Sequence, residues 1–185
     1  MKKITIAQIC VSTVTFICCN AQASDLALNE LSHLSELQYG YDNYASVELN
    51  NAYNGRVDII QDDYNQGYGN SAKVLQKGEN NDAYIAQYGS GNIAYINQYG
   101  NRNTAHITEY GSGNAGLIKQ YGNDNEAAIL QKGDGNQGQI TQYNDDNKAL
   151  IVQKSNVQYF KTDITQNGGQ THVIINGMNK GITIR

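Results

Sequence analysis

The sequence has no proline and no tryptophan, and its three cysteines all lie within the first 19 residues. Only 39 % of the 185 residues are hydrophobic, and the mean hydropathy is −0.56, which is too polar for a conventional apolar core. The 13 basic residues form no cluster of the kind that phosphate backbones require. These absences argue against an ordinary enzyme and against a nucleic-acid-binding protein.

Amide side chains are abundant instead: 24 Asn and 17 Gln make up 41 of the 185 residues. A buried amide destabilises a protein by a few kcal/mol when it is unpaired. It both donates and accepts hydrogen bonds, so identical amides in successive layers can satisfy each other. The composition therefore leaves two options, which are disorder and an architecture that buries amides in ladders.

Residues 1–23 have the pattern of a secretory signal peptide: a basic start at 1–3, an apolar stretch at 4–19 and an A-x-A cleavage motif at 21–23. The apolar stretch is too short and too polar for a membrane span. Removal of this segment leaves an exported chain without cysteine, so disulfides and thiol chemistry are excluded. A lipid anchor on Cys18 or Cys19 is the alternative.

An eleven-residue period runs without a gap from residue 70 to residue 157, and each of its eight units begins with asparagine. The first seven residues of a unit alternate with period two, which is typical of a strand with two different faces. One face carries Asn, then Ala or Gly, then Ile or Val, then Gln. The predicted core is Val74, Ile85, Ile96, Ile107, Ile118, Ile129, Ile140 and Ile151. The predicted amide ladders are Asn70, Asn81, Asn92, Asn103, Asn114, Asn125, Asn136 and Asn147, with Gln76, Gln87, Gln98, Gln120, Gln131, Gln142 and Gln153.

The last four residues of each unit have turn chemistry, with a glycine that accepts positive φ without a steric penalty. The predicted positive-φ positions are Gly78, Gly89, Gly100, Gly111, Gly122 and Gly133, with Asn144 as the next best residue. Strand, turn, strand and turn together occupy 22 residues. The sequence therefore predicts an all-β fold: a β-solenoid of two parallel sheets with 22-residue coils, able to form amyloid.

The seven-residue frame continues less regularly at both ends of the solenoid, which we place at residues 32–185 after a flexible lead-in at 24–31. Upstream, 32–38, 43–49 and 55–61 fit the frame, with an insertion around 62–69. Downstream, 160–166 fits after a two-residue insertion, whereas 171–177 and 182–185 fit only loosely. This gives about twelve half-coils. We see no cap at either end, so the alternatives are a soluble solenoid that caps itself, such as a secreted adhesin, and a fibre that grows end to end.

The units N-x-A-x-I-x-Q-Y-G-x-G resemble the curlin repeats of bacterial curli, the extracellular amyloid of Gram-negative biofilms, from about Ser32 to Gln166. The lead-in from Ser24 to Ser32 and the Arg185 terminus resemble the minor subunit, or nucleator, more than the major fibre subunit, which is the alternative. The resemblance implies secretion through an outer-membrane pore with accessory factors, and assembly with itself and with the major curlin at the cell surface. It also implies a role in adhesion and biofilm formation, with anchoring by the last units from about Gln158 to Arg185.

Few residues suggest site chemistry. We expect no catalytic, cofactor or metal site, because His33, His106 and His172 share no ligand spacing and no nucleophile motif is present. Tyrosines 22 residues apart predict aromatic columns along the turns, as for Tyr88 and Tyr110. The acidic turn residues are possible gatekeepers against premature aggregation: Glu79, Asp82, Asp124, Asp134, Asp145 and Asp146.

Glu109 stands in a glutamine position, and it is also a possible gatekeeper. It is either a carboxylate that water reaches at a coil edge or a pH-sensitive break in the ladder, since burial raises a carboxyl pKa. The second alternative predicts that Glu109→Gln speeds assembly at neutral pH, and an unchanged lag time would exclude it.

Overall fold

The computed structural model describes residues 42–63, 68–154 and 161–176, and these ranges form twelve β-strands and no helix. The strands are β1 Tyr44–Tyr53, β2 Arg56–Asp62, β3 Ser71–Glu79, β4 Asp82–Tyr88, β5 Ile93–Tyr99, β6 Thr104–Tyr110, β7 Ala115–Tyr121, β8 Glu126–Lys132, β9 Gln137–Tyr143, β10 Lys148–Lys154, β11 Lys161–Asn167 and β12 Thr171–Asn176. Within these ranges, no helix has the length and apolar character needed to cross a membrane.

Successive strands alternate between two parallel sheets. The first sheet has the order β1-β3-β5-β7-β9-β11, and the second has the order β12-β10-β8-β6-β4-β2. In the regular part, each residue pairs with the residue 22 positions later, as Ile96 does with Ile118. The predicted β-solenoid of two parallel sheets is therefore confirmed.

The core lies between the sheets and follows from the period-two pattern. Along β4, Ala83, Ile85 and Gln87 are fully buried, whereas Asp82, Tyr84 and Tyr88 on the other face are partly exposed and only the small Ala86 of that face is buried. Isoleucine is β-branched and packs well in strands, so a central column of Ile fills the space between the sheets. All eight predicted core residues are at most 2 % exposed.

The turns require the glycines that the sequence places there. All six predicted glycines have positive φ, between 110° and 130°, and Asn144 has φ of 60°, so this prediction is confirmed. A Cβ on Gly100 would lie only 1.9 Å from the carbonyl oxygen of Gly122 in the next coil. The turns thus stack as closely as the strands, and a side chain at this position does not fit.

The frames at 43–49, 55–61 and 160–166 are confirmed, because Val47, Ile59 and Ile164 pair with core residues of the regular units. The frame at 171–177 is wrong by one residue: Ile174, not Ile175, pairs with Ile151. A one-residue shift exchanges the two faces of a strand, and the observed register keeps an Ile in the core column. The segments predicted at 1–23, 24–31, 32–38 and 182–185 lie outside the described residues.

The outer face of the first sheet is not uniformly exposed. Ile93, Tyr95 and Leu117 form a separate apolar cluster there and are only 4 to 7 % exposed. Tyr95 and Leu117 are paired across β5 and β7, so the parallel register itself brings the apolar side chains together. Outward-facing positions of the strands can therefore be as buried as the core columns.

Candidate functional site: amide ladders and solenoid ends

The asparagine that begins each unit is buried beside the turn and bonds to its counterpart one coil away. Asn92 donates its backbone N–H (3.1 Å) and its Nδ2 (3.0 Å) to Oδ1 of Asn70. Asn114 makes the same two bonds to Asn92, at 3.0 and 3.1 Å. The second sheet repeats the pattern, with Asn103 on Asn81 at 3.0 and 3.2 Å. Each Asn side chain therefore fixes the register between two successive coils.

The glutamine column of the first sheet is a continuous chain of hydrogen bonds. Gln76 donates Nε2 to Oε1 of Gln98 (2.8 Å), and the same bond recurs from Gln98 to Gln120 (3.0 Å). It continues from Gln120 to Gln142 (3.0 Å) and from Gln142 to Gln166 (2.8 Å). All donors point toward the C-terminal end, so the ladder is polar along the solenoid axis.

The second sheet has the same column, but it contains one interruption. Gln61 donates to Gln87 (2.9 Å), Gln87 donates to Oε2 of Glu109 (2.8 Å), and Gln131 donates to Gln153 (2.8 Å). An ionised carboxylate has no donor, so the bond from position 109 to Gln131 is missing. Among the described residues, Oε1 of Glu109 and Oε1 of Gln131 are both buried without a hydrogen-bond partner.

Glu109 itself is 0 % exposed. The alternative that water reaches this carboxylate is therefore wrong, because the stacked coils above and below enclose it. Desolvation raises the pKa of the Glu109 carboxyl well above its ordinary value, although the hydrogen bond from the Gln87 side chain and the nearby Gly116 backbone oppose the shift. The position keeps the burial of a glutamine and lacks its donor.

The acidic turn residues make specific contacts. The backbone N–H of Ser112 donates to Asp134 (2.8 Å), and that of Asn123 donates to Asp145 (2.7 Å). Arg102 binds Asp124 through two hydrogen bonds, of 2.7 and 2.6 Å, which lower the pKa of that carboxyl. Asp146 is exposed at φ of 60°, Glu79 is exposed at the end of β3, and Asp82 is partly exposed at the start of β4. Their action as gatekeepers stays a prediction.

Tyrosines stack along both edges, as the 22-residue spacing predicts. Tyr88 and Tyr110 have centroids 4.8 Å apart with planes inclined by 7°, and Tyr121 and Tyr143 have centroids 5.6 Å apart with planes inclined by 12°. His106 lies on the outer face beside Tyr84, and His172 takes an alanine position in β12. The described ranges contain no group of three potential metal ligands, and His33 lies outside them.

These features identify the chain by its repeats. A family model described as the curlin associated repeat matches residues 67–100, 100–133 and 122–154. The chain belongs to the curlin family. Comparisons with curated proteins and with solved structures gave no match. The curlin repeats support a role as a curli subunit, and the family implies self-assembly into extracellular fibres.

Several ladder residues of this curlin were absent from the predicted site. Gln61 and Gln166 extend the two glutamine columns, although insertions displace them from the eleven-residue period. Asn101 and Asn123 form a further ladder in the turns: the backbone N–H of Glu79 donates to Asn101 (2.8 Å), and that of Asn101 donates to Asn123 (2.9 Å). Their 22-residue spacing was the available signal.

Proposed function

We propose that this curlin is the minor subunit of curli, which nucleates polymerisation of the major curlin at the outer surface of a Gram-negative cell and so supports adhesion and biofilm formation. The sequence support is the nucleator-like lead-in at 24–32 and the irregular last units. The proposal includes no enzymatic activity and no cofactor, since the conspicuous chemistry of the chain is hydrogen bonding between coils.

The observation that carries this proposal is that both sheets of the described solenoid end in strands whose outer edges have no partner among the described residues. Within the described ranges, β1 and β11 are the edge strands of one sheet, and β2 and β12 are those of the other. An edge strand offers unpaired backbone groups to an incoming strand. A second chain with the same 22-residue coil can continue both sheets, which is growth of a cross-β fibre.

The N-terminal end is the better template. Ala45, Val47 and Leu49 of β1 lie in register with the core columns and remain partly exposed. Oε1 of Gln61, at the end of the second-sheet ladder, has no partner among the described residues. All Gln donors point toward the C-terminal end, so an incoming coil stacked below β2 would present its Nε2 donor to this oxygen.

The C-terminal end is more closed, and we assign anchoring to it. Gln166 turns its Nε2 onto the backbone carbonyls of Lys148 and Gln170, both at 2.8 Å. Asn176, in the glutamine column of β12, donates to Thr162 Oγ1 (2.8 Å). His172 replaces the small residue of the alanine column. The terminal amides are thus satisfied within the chain.

Export completes the proposal. We assign residues 1–23 to a signal peptide and infer secretion of the unfolded chain through a dedicated outer-membrane pore with accessory factors. The absence of cysteine after residue 19 is compatible with this route.

The test is a thioflavin T time course on residues 24–185 diluted from denaturant, alone and as a minor additive to purified major curlin. A shortened lag of the major subunit is the expected result. Fibres without this cross-effect would indicate the major subunit instead, and a dye-negative monomer would indicate a capped solenoid that acts as a binding module.

A matched pair of variants tests which end of the solenoid serves as the template. Val47→Lys and Ile174→Lys place the same charge in the core column of the first and the last described strand. We expect Val47→Lys to abolish the effect on the major curlin and Ile174→Lys to retain it, because only the N-terminal end serves as the template. The reverse result would assign templating to the C-terminal end.

A further inference from the structure

The gap in the second-sheet glutamine ladder brings two buried hydrogen-bond acceptors together. The remaining steps of this ladder each pair a donor with an acceptor. Glu109 and Gln131 are in register on neighbouring strands β6 and β8. Oε1 of each is buried and without a partner among the described residues. Glu109 also lacks the N–H that the other glutamines of this column donate to the opposite sheet. Gln87, Gln131 and Gln153 each donate Nε2 to a carbonyl of the opposite sheet, on Ser71, Ala115 and Gln137.

One proton on the carboxyl changes this arrangement. A protonated carboxylic acid has one O–H donor and keeps its acceptor oxygen. It can still accept from Gln87 and can now donate to Oε1 of Gln131, as glutamine does at the other steps. We propose that Glu109 is a proton-operated junction: its neutral form closes the second-sheet glutamine ladder, and its ionised form leaves the coils before and after it joined by one glutamine ladder instead of two.

Among the described residues, no charged side chain faces the Glu109 carboxyl from the strands packed against it. The inward side chains next to it on the packed strands are Gln87 of β4 and Gln131 of β8, with Gly116 facing it from β7 of the other sheet. The titratable side chains of the same strands take the outward-alternating positions: Asp82, Tyr84 and Tyr88 of β4, His106 and Tyr110 of β6, Lys119 and Tyr121 of β7, and Glu126 and Lys132 of β8. The influences that oppose the shift come from the Gln87 side chain, which donates to Oε2, and from the nearby Gly116 backbone.

The direction of the pH effect follows from burial, which raises the pKa of the Glu109 carboxyl. The folded state therefore holds a proton that the unfolded chain has released above its ordinary pKa of about 4.3. Between that value and the raised folded value, each pH unit lowers the folding equilibrium constant by up to about tenfold. Below this pH range the Glu109 carboxyl no longer changes the folding equilibrium constant, and above it the constant falls no further.

The consequence is a step in assembly that is strong in acid and weakens as the pH rises above the ordinary carboxyl pKa. The junction lies between β6 and β8, in the middle of the regular coils. Its closure therefore links the coils of the C-terminal half of the solenoid more strongly to those of the N-terminal half. This inference concerns the folding of the chain itself. Only its bearing on fibre nucleation rests on the proposed function.

The first experiment compares residues 24–185 with the Glu109→Gln variant between pH 5 and pH 8, by thioflavin T lag time and by the guanidinium concentration that dissolves the fibres. We expect the wild-type lag to lengthen and the midpoint to fall as pH rises, and the variant to change much less. Glu79→Gln is the matched control, because it removes the same charge from an exposed position at the end of β3 and should keep the pH dependence of the wild type, whatever its effect on the absolute lag. Identical pH profiles for the wild type and Glu109→Gln would overturn the proposal.

A second measurement reads the proton directly. In a pH titration followed by carbon-13 NMR, fibres labelled at glutamate carboxyls should show one carboxyl that stays neutral to a higher pH than the others, and this signal should be missing from Glu109→Gln fibres. Glutamate carboxyls that all ionise over the same pH range would refute the junction. Both measurements use this chain alone, so they stay valid if the chain fails to nucleate the major curlin. A positive nucleation assay with flat pH profiles would retain the proposed function and reject the junction.

Discussion

In the described part of the chain, both sheets of the solenoid have columns of Asn, small residues, Ile and Gln, but only the first sheet has a glutamine ladder without an interruption, from Gln76 to Gln166. In the second sheet, Glu109 matches its glutamine counterparts in burial and register. It differs from them in one functional group, an oxygen in place of an amide NH₂. The comparison shows that a buried polar column depends on alternating donors and acceptors, and that polarity and size alone do not complete it.

The backbone does not share this difference. Turn hydrogen bonds between coils are alike on the two sides, at 2.9 Å for Gly122 to Tyr99 and 2.9 Å for Gly111 to Tyr88. The difference between the sheets therefore lies in their side chains. Substitutions can introduce the interruption in the first sheet, remove it from the second sheet or leave both ladders unchanged.

The largest effect is expected when the same interruption is introduced into the uninterrupted glutamine ladder of the first sheet. Gln120→Glu would place a second carboxylate between Gln98 and Gln142, where no donor to Gln142 would remain. An uncompensated buried charge destabilises a protein by about 3–5 kcal/mol. At pH 7 we expect fibres to form much more slowly than in the wild type, as measured by thioflavin T.

Acid should rescue the Gln120→Glu variant. The same burial would raise the pKa of the new carboxyl, so stability is retained in acid and lost as the pH rises above about 4.3. A variant that assembles at pH 7 as fast as the wild type would show that the first-sheet ladder tolerates a missing donor.

An effect of similar size, but equal in both sheets, is expected at the turns. Gly100 follows a strand of the first sheet and Gly111 a strand of the second, and a Cβ on either would lie 1.9 or 2.2 Å from a carbonyl oxygen of the next coil. Positive φ adds backbone strain. We expect Gly100→Ala and Gly111→Ala each to destabilise the solenoid by about 3 kcal/mol, without dependence on pH.

The guanidinium midpoints of these two variants sharpen the comparison, because they separate backbone stacking from the ladder. A much smaller decrease in the midpoint for Gly111→Ala would mean that the turns at this edge of the second sheet can shift to accommodate a side chain. In that case the contrast between the sheets would extend beyond Glu109.

Much of this fold could be predicted from the sequence because its interactions repeat. The period of eleven fixes which residues share a column, and a parallel stack then pairs Ile96 with Ile118 without further information. The prediction failed where the repeat weakens. Thr171 to Gly177 fits two registers by composition, and only the packing of Ile174 on Ile151 selects between them.

The site was predictable only in part, for a related reason. The glutamine spacing indicates a column, but not that all donors point one way or that Oε1 of Gln131 would lack a partner. The turn ladder of Asn101 and Asn123 depends on the close approach of successive turns, which only the three-dimensional stack reveals. Single-residue departures from a repeat identify where such consequences arise.

The smallest expected effect concerns the tyrosine columns, which also differ between the two edges. Tyr110 stacks on Tyr88 with centroids 4.8 Å apart, whereas Tyr143 stacks on Tyr121 at 5.6 Å. An aromatic pair contributes about 0.5–1.5 kcal/mol beyond its buried area. Tyr110→Leu and Tyr143→Leu both keep an apolar side chain and should lower the guanidinium midpoint slightly, with the larger decrease for Tyr110→Leu because its rings lie closer. Equal decreases would mean that both columns contribute only buried area, and the edge of the second sheet would then gain nothing from its tighter stack.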